Sequence, residues 1–180
     1  MSRILVITTS LRAGSNSDRL AEEMIRGAEA AGHRVERISL KDKQIGFCRG
    51  CFVCQKTEKC VLRDDAPAIA EQVKRADTLV FVTPIYYYEM SGQMKTLLDR
   101  LNPLFPSDYR FRNVYLLATA SEDEAFVPER ALSGLGGWVE CFEKAELAGM
   151  LFCGGLTDIG EAARHPEALE KAYEFGTKLR

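Results

Sequence analysis

Residues 3–24 read RILVITTSLRAGSNSDRLAEEM, and this stretch decides the fold. Arg3–Thr9 is β-branched and almost wholly apolar, as suits a strand buried on both faces. A polar loop follows from Ser10. Leu20, Met24 and Ala28 then recur every four residues, which is helical spacing. Strand, polar loop and helix form the opening unit of a parallel α/β sheet.

The alternation continues outward from there. Gly32 stops the first helix, and Arg34–Leu40 alternates as a second strand. Asp65 opens a helix with Pro67 in its first turn. Thr78–Thr83 (TLVFVT) is a third strand, and Ser91 opens a helix carrying Met94, Leu97, Leu98 and Leu101. Asn113–Thr119 is a fourth strand, followed by a helix from Pro128. Glu146–Phe152 is a fifth, and a last helix runs from about Pro166 to Gly176. Five strands alternating with five helices predict a three-layer sandwich, a parallel sheet with helices on both faces. The 180 residues suit a single domain, with a cysteine-rich excursion at about 45–62.

Composition narrows the function classes. A hydrophobic fraction of 46% is enough for a packed core. The net charge of −2 gives no broad basic field, so nucleic acid is not an expected partner. No apolar run reaches the roughly 18 residues of a membrane span. The first ten residues read as a strand and lack the pattern of a secretion signal, so a cytoplasmic location is expected.

Ligands of open parallel sheets bind outside the carboxyl ends of the strands. Three loops lie there. The first, Ser10–Ser17, offers Ser10, Arg12, Ser15, Asn16 and Ser17 to phosphate oxygens at a helix N-terminus. It matches neither the dinucleotide fingerprint nor the P-loop, and an ordinary capped helix would also use Ser and Asn. The second loop holds Pro84, Ile85, Tyr86, Tyr87 and Tyr88. Three consecutive tyrosines cannot all enter one core, so at least one faces a ligand or a partner chain, or covers the sheet end. The third, around Thr119 and Ala120, has small residues that let a flat ligand approach the backbone. Together they suggest a planar phosphorylated ligand, and flavin mononucleotide fits better than a nucleotide triphosphate, because no magnesium-binding Walker pair accompanies the first loop.

At these residues the sequence resembles a known family. SLRAGSNSDRLAEEM and ADTLVFVTPIYYYEMSGQMKTLLDR resemble the NADPH-dependent FMN reductase branch of the flavodoxin-like superfamily. The resemblance implies a five-stranded sheet of order 2-1-3-4-5 with FMN at its carboxyl edge. It places Ser10, Arg12, Ser15, Asn16 and Ser17 at the phosphate, and Pro84–Tyr88 along the ring and ribityl chain. Thr119 and Ala120 are a looser match. It implies NAD(P)H as donor, a small-molecule acceptor (a quinone, azo or nitro compound, flavin or oxygen), and a homodimer or homotetramer. No side chain need act as acid or base.

Cys48, Cys51, Cys54 and Cys60 fall within FCRGCFVCQKTEKCVLRDD, spaced C-x2-C-x2-C-x5-C. The segment resembles the compact motif of the iron–sulfur flavoproteins. That implies a 4Fe–4S cluster relaying single electrons, with ferredoxin as a partner. Four thiolates also suit zinc, a C-x-x-C pair suits redox cycling, and buried inert thiols remain open. A zinc-stabilised binding module without enzymatic activity is the third functional reading. Cys141 and Cys153 are expected to be buried, and His33 exposed. Asp64 and Asp65 read as a helix start.

Overall fold

The computed structural model describes residues 1–180. Strands β1 (Arg3–Thr8), β2 (Arg34–Ser39), β3 (Thr78–Tyr86), β5 (Asn113–Thr119) and β6 (Glu146–Cys153) form a parallel sheet of order β2-β1-β3-β5-β6. The two-residue β4 (Glu89–Met90) pairs antiparallel with the end of β3. Setting β4 aside, the order is 2-1-3-4-5, as the flavodoxin-like reading expects.

The strand sequences place the two cores. Side chains alternate across a strand, so each strand supplies both faces. Leu5, Ile7, Leu79, Phe81, Val114 and Leu116 enter one cluster, covered by α3 (Ala66–Arg75), α4 (Gly92–Arg100) and α5 (Glu129–Val139). Ile4, Val6, Val80, Val82, Tyr115 and Leu117 enter the other, covered by α1 (Asn16–Ala30) and α6 (Pro166–Thr177). Trp138 joins the first cluster, stacked on Phe111 and edge-on to Phe81.

Gly27 and Gly176 let α1 and α6 meet backbone to backbone. A Cβ at Gly27 would lie 2.0 Å from the Tyr173 carbonyl oxygen, and one at Gly176 2.0 Å from that of Met24.

Several sequence expectations need correction. β3 runs past Thr83 to Tyr86, because Ile85 and Tyr86 pair with Met90 and Glu89 in a hairpin. The cysteine segment contains a short helix, α2 (Val53–Thr57), between left-handed residues Phe52 and Glu58. Asp65 precedes α3 without capping it. Its Oδ2 accepts from Gln44 N instead, and Asp64 Oδ1 accepts from Ala66 N. Cys141 is exposed at the frayed end of α5, whereas Cys153 is buried as expected. His33 is half-buried, its Nδ1 accepting from Ser2 N.

Candidate functional site

The carboxyl end of the sheet carries two adjoining cavities. The first surrounds the N-terminus of α1. Ser15 caps that helix, its Oγ accepting from Asp18 N at 3.2 Å and lying 3.3 Å from Ser17 Oγ. The buried Asn16 and Ser17 main-chain N–H groups have no partner within the chain, as first-turn amides of a helix do not. They add to the partial positive charge of the helix end. Ser10, Arg12, Ser15, Asn16 and Ser17 line this cavity of about 80 Å³. Pro84, Ile85, Tyr86, Thr119 and Ala120 form its far wall.

The Asn16 side chain is engaged elsewhere. Its Nδ2 donates to Asp158 O and its Oδ1 accepts from Ala162 N, both at 2.9 Å. It therefore fastens the segment after β6 to α1 and offers the cavity its main-chain amide. Arg12 Nη1 donates to Thr157 O at 3.0 Å, which holds its cation beside the cavity.

The second cavity, about 310 Å³, is mainly apolar. Ile85, Tyr86, Tyr87 and Tyr88 line one side and Ala120, Ser121, Glu122 and Val127 the other. Ile85, Tyr86, Ala120 and Ser121 border both cavities, so the two lie side by side. At the hairpin tip, Tyr87 and Tyr88 both have positive φ, 52° and 67°. This matches the φ signs of a tight type I′ hairpin turn, and for tyrosine it stores strain. Tyr88 stacks on Phe126 with centroids 6.0 Å apart, and the Arg130 guanidinium lies over its ring at 5.8 Å. Glu122 facing its hydroxyl pushes Tyr88 above the usual phenol value. Tyr86 and Tyr87 are exposed. Beneath the hairpin the frame is tied down. Thr83 Oγ accepts from Ser91 N at 3.0 Å, and Thr9 Oγ lies 2.9 Å from Ser91 Oγ.

Val127, Leu156 and Thr157 also line these cavities and escaped the sequence reading. The signal for the last two was Gly154–Gly155. A Cβ at Gly154 would lie 2.3 Å from Glu122 O, so glycine lets the loop after β6 press against the loop after β5.

The cysteine segment forms a separate site beside α4. Cys48, Cys51, Cys54 and Cys60 all line one small cavity. No three metal-ligating side chains converge as they would on a single ion. Around one zinc the sulfurs would stand about 3.8 Å apart. In a 4Fe–4S cluster each cysteine binds a different iron, so its sulfurs stand further apart. Four thiols around one cavity are a donor set of the kind either group would use. Cys48 and Cys51 are exposed, Cys54 is buried and Cys60 is half-buried. Asn102 Nδ2 donates to Cys54 Sγ at 3.1 Å, and Arg100 Nη2 to Cys60 Sγ at 3.4 Å. Neither donor was picked out from the sequence, because Arg100 sits at the end of an otherwise ordinary amphipathic helix.

Arg100 is buried and makes a bidentate pair with Asp64 at 2.6 and 2.9 Å. Burial pushes the Asp64 carboxyl up, but hydrogen bonds from Arg100, Gly46 and Ala66 outweigh it and leave the group below its usual value. Arg100 Nη1 also donates to Gly46 O at 2.7 Å, so one guanidinium joins the two ends of the cysteine segment.

The family model for NADPH-dependent FMN reductases matches residues 2–145, which carry β1, β3 and β5 with the loops that follow them but not β6. The chain belongs to that family. Among its relatives, an iron–sulfur flavoprotein of Methanocaldococcus jannaschii is 34% identical over 102 residues, 57% of this chain and 53% of that one. An iron–sulfur flavoprotein of Archaeoglobus fulgidus is 32% identical over 97 residues, 54% of this chain and 44% of that one. The chain thus spans about half the length of the curated relatives it matches. The solved structure of the NAD(P)H:quinone oxidoreductase from Methanothermobacter marburgensis superimposes with a TM-score of 0.77 at 18% identity. It covers 98% of this chain and 94% of that one, and it supports the fold.

The reductase-family cofactor suits the residues present. Unpartnered first-turn amides and serine hydroxyls fit a phosphate monoester. The adjoining tyrosine-lined cavity fits an aromatic ring system. No helix is long and apolar enough to cross a membrane.

Proposed function

We propose that this single flavodoxin-like domain binds FMN and passes electrons from NAD(P)H to a small acceptor such as a quinone, azo or nitro compound, free flavin or oxygen. The observation that carries this reading is the adjacency of the two cavities, a polar seat on α1 beside an apolar tyrosine-lined slot with four lining residues in common. FMN, when bound, supplies hydride acceptance and electron release.

The chain's own residues bind and orient. Ser10, Ser15 and Ser17, with the Asn16 and Ser17 amides, hold the monoester, and Arg12 adds a cation beside it. Pro84, Ile85, Tyr86 and Tyr87 wall one side of the ring, and Thr119 and Ala120 the other. The Ser121 and Glu122 main-chain N–H groups, unpartnered within the chain, are placed to oppose negative charge on a ligand there. Tyr88, held by Phe126 and Arg130, fixes the hairpin. No side chain is required as a proton donor.

A second reading has its own support. The cavity shared by Cys48, Cys51, Cys54 and Cys60 favours a 4Fe–4S cluster feeding the flavin with single electrons from a ferredoxin-like donor. Tyr87 is 97% exposed and Tyr86 is 51% exposed. Aromatic side chains left open at a site edge suit a homodimer or homotetramer in which a second copy covers the slot.

Anaerobic purification followed by absorption spectroscopy tests both. A yellow protein bleached by NADPH supports direct reduction. A flavin that NADPH leaves oxidised and reduced ferredoxin bleaches supports the relay. A colourless chain that takes up no FMN at micromolar concentration overturns the central reading.

A further inference from the structure

We propose that Arg100 and Asn102 are positioning residues for an iron–sulfur cluster, holding Cys60 and Cys54 as hydrogen-bond acceptors and raising the cluster's reduction potential. This rests on the cluster reading of the four cysteines.

The four sulfurs are not equivalent. Cys54 and Cys60 each receive an N–H donor from the segment at the end of α4, at 3.1 and 3.4 Å. No donor reaches the exposed Cys48 and Cys51. The donors are built differently. Arg100 is fully buried at its side chain, and Asp64, through both its oxygens, fixes the plane of the guanidinium. Nη2 is thereby aimed between Asp64 Oδ1 and Cys60 Sγ. Asn102 has no such structural duty. Its side-chain amide makes a single hydrogen bond, to Cys54.

The consequence is electrostatic. Reduction adds one negative charge to a cluster, shared with its sulfur ligands. Donors and cations at those sulfurs therefore stabilise the reduced form more than the oxidised one. Arginine keeps its charge at every working pH, so its contribution persists.

The test uses the full chain, reconstituted anaerobically with iron and sulfide. Midpoint potentials are read by EPR-monitored dithionite titration for wild type, Asn102→Ala, Asn102→Asp and Arg100→Lys. At the wild-type midpoint the reduced-to-oxidised ratio should fall about threefold in Asn102→Ala and about tenfold in Asn102→Asp, the latter being 59 mV for one electron. Arg100→Lys keeps the charge, loses the fork and should fall between wild type and Asn102→Asp. Bound FMN per chain should be unchanged and serves as the folding control. If Arg100→Lys fails to fold, the two Asn102 variants still decide. Loaded variants with wild-type potentials overturn this inference and leave the cluster reading standing. A wild type that takes up no iron overturns both.

Discussion

Gly27 of α1 faces Tyr173 of α6 with no room for a side chain between them: a Cβ there would stand 2.0 Å from the Tyr173 carbonyl oxygen. Gly27→Ala sets two effects against each other. Alanine gains about 1 kcal/mol of helix propensity. The clash is with backbone, which cannot rotate away, and overpacking of this kind costs about 1–3 kcal/mol or more. The clash should win, with a net loss of about 1 kcal/mol or more in urea unfolding. Unchanged or raised stability would show that the helices stand further apart.

Tyr87 gives the opposite sign. It holds φ 52° while 97% exposed, so it pays for its conformation without packing in return. Left-handed backbone costs a non-glycine residue about 1–2 kcal/mol, against an added unfolded-state entropy for glycine of about 0.5–1 kcal/mol. Tyr87→Gly should stabilise the fold by about 0.5–1 kcal/mol and weaken FMN binding. Calorimetry and fluorescence titration measure the two separately.

The Asp64–Arg100 pair predicts an acid limb. The Asp64 carboxyl lies below its unfolded value when folded, so its contribution is present above the unfolded pKa of about 4 and is lost as pH falls through the folded one. Asp64→Asn should flatten the stability profile below about pH 4. Asp64→Ala strands a buried guanidinium and should cost about 3 kcal/mol at neutral pH. Denaturant midpoints against pH check both.

Cys141 and Cys153 should differ sharply toward alkylating agents. Burial pushes the Cys153 thiol up to about 11, and the residue is only 7% exposed, whereas Cys141 is exposed. At pH 8 about one Cys153 in a thousand would be thiolate, the reactive form. Peptide mapping after iodoacetamide should find Cys141 modified at least about tenfold faster.

Ser15→Ala removes an N-cap worth about 1 kcal/mol and a hydroxyl of the phosphate seat. FMN affinity should fall about tenfold while riboflavin, which lacks the phosphate, binds the variant and the parent alike. An equal loss for both ligands would move the phosphate away from α1.

The fold was legible because its strands are short, apolar and β-branched, and because helix starts are marked by Ser15, Ser91 and Pro166. All twelve residues read as flavin contacts line the two adjoining cavities, since each lies at or just beyond a strand's carboxyl end. Three things were hidden. The Tyr87–Tyr88 turn lacks the Asn or Gly that marks such hairpins, so its strained backbone was invisible. Arg100 pairs with Asp64 across 36 residues, a distance over which no local pattern informs. Leu156 and Thr157 reach the site because Gly154 permits the close approach of two loops and Asn16 fastens the segment after β6 to α1.

The glycine crossing of α1 and α6 reaches beyond geometry. The family-matching stretch ends at residue 145, while α6 begins at Pro166. The helix whose first turn borders the polar cavity is thus buttressed by a segment outside the part of the chain that marks the family. Residues 2–145 alone would keep the serines yet lose Leu156 and Thr157 from the cavity wall, together with the helix behind α1. The cavity at the start of α1 is thus shaped jointly by segments 146 residues apart in the sequence.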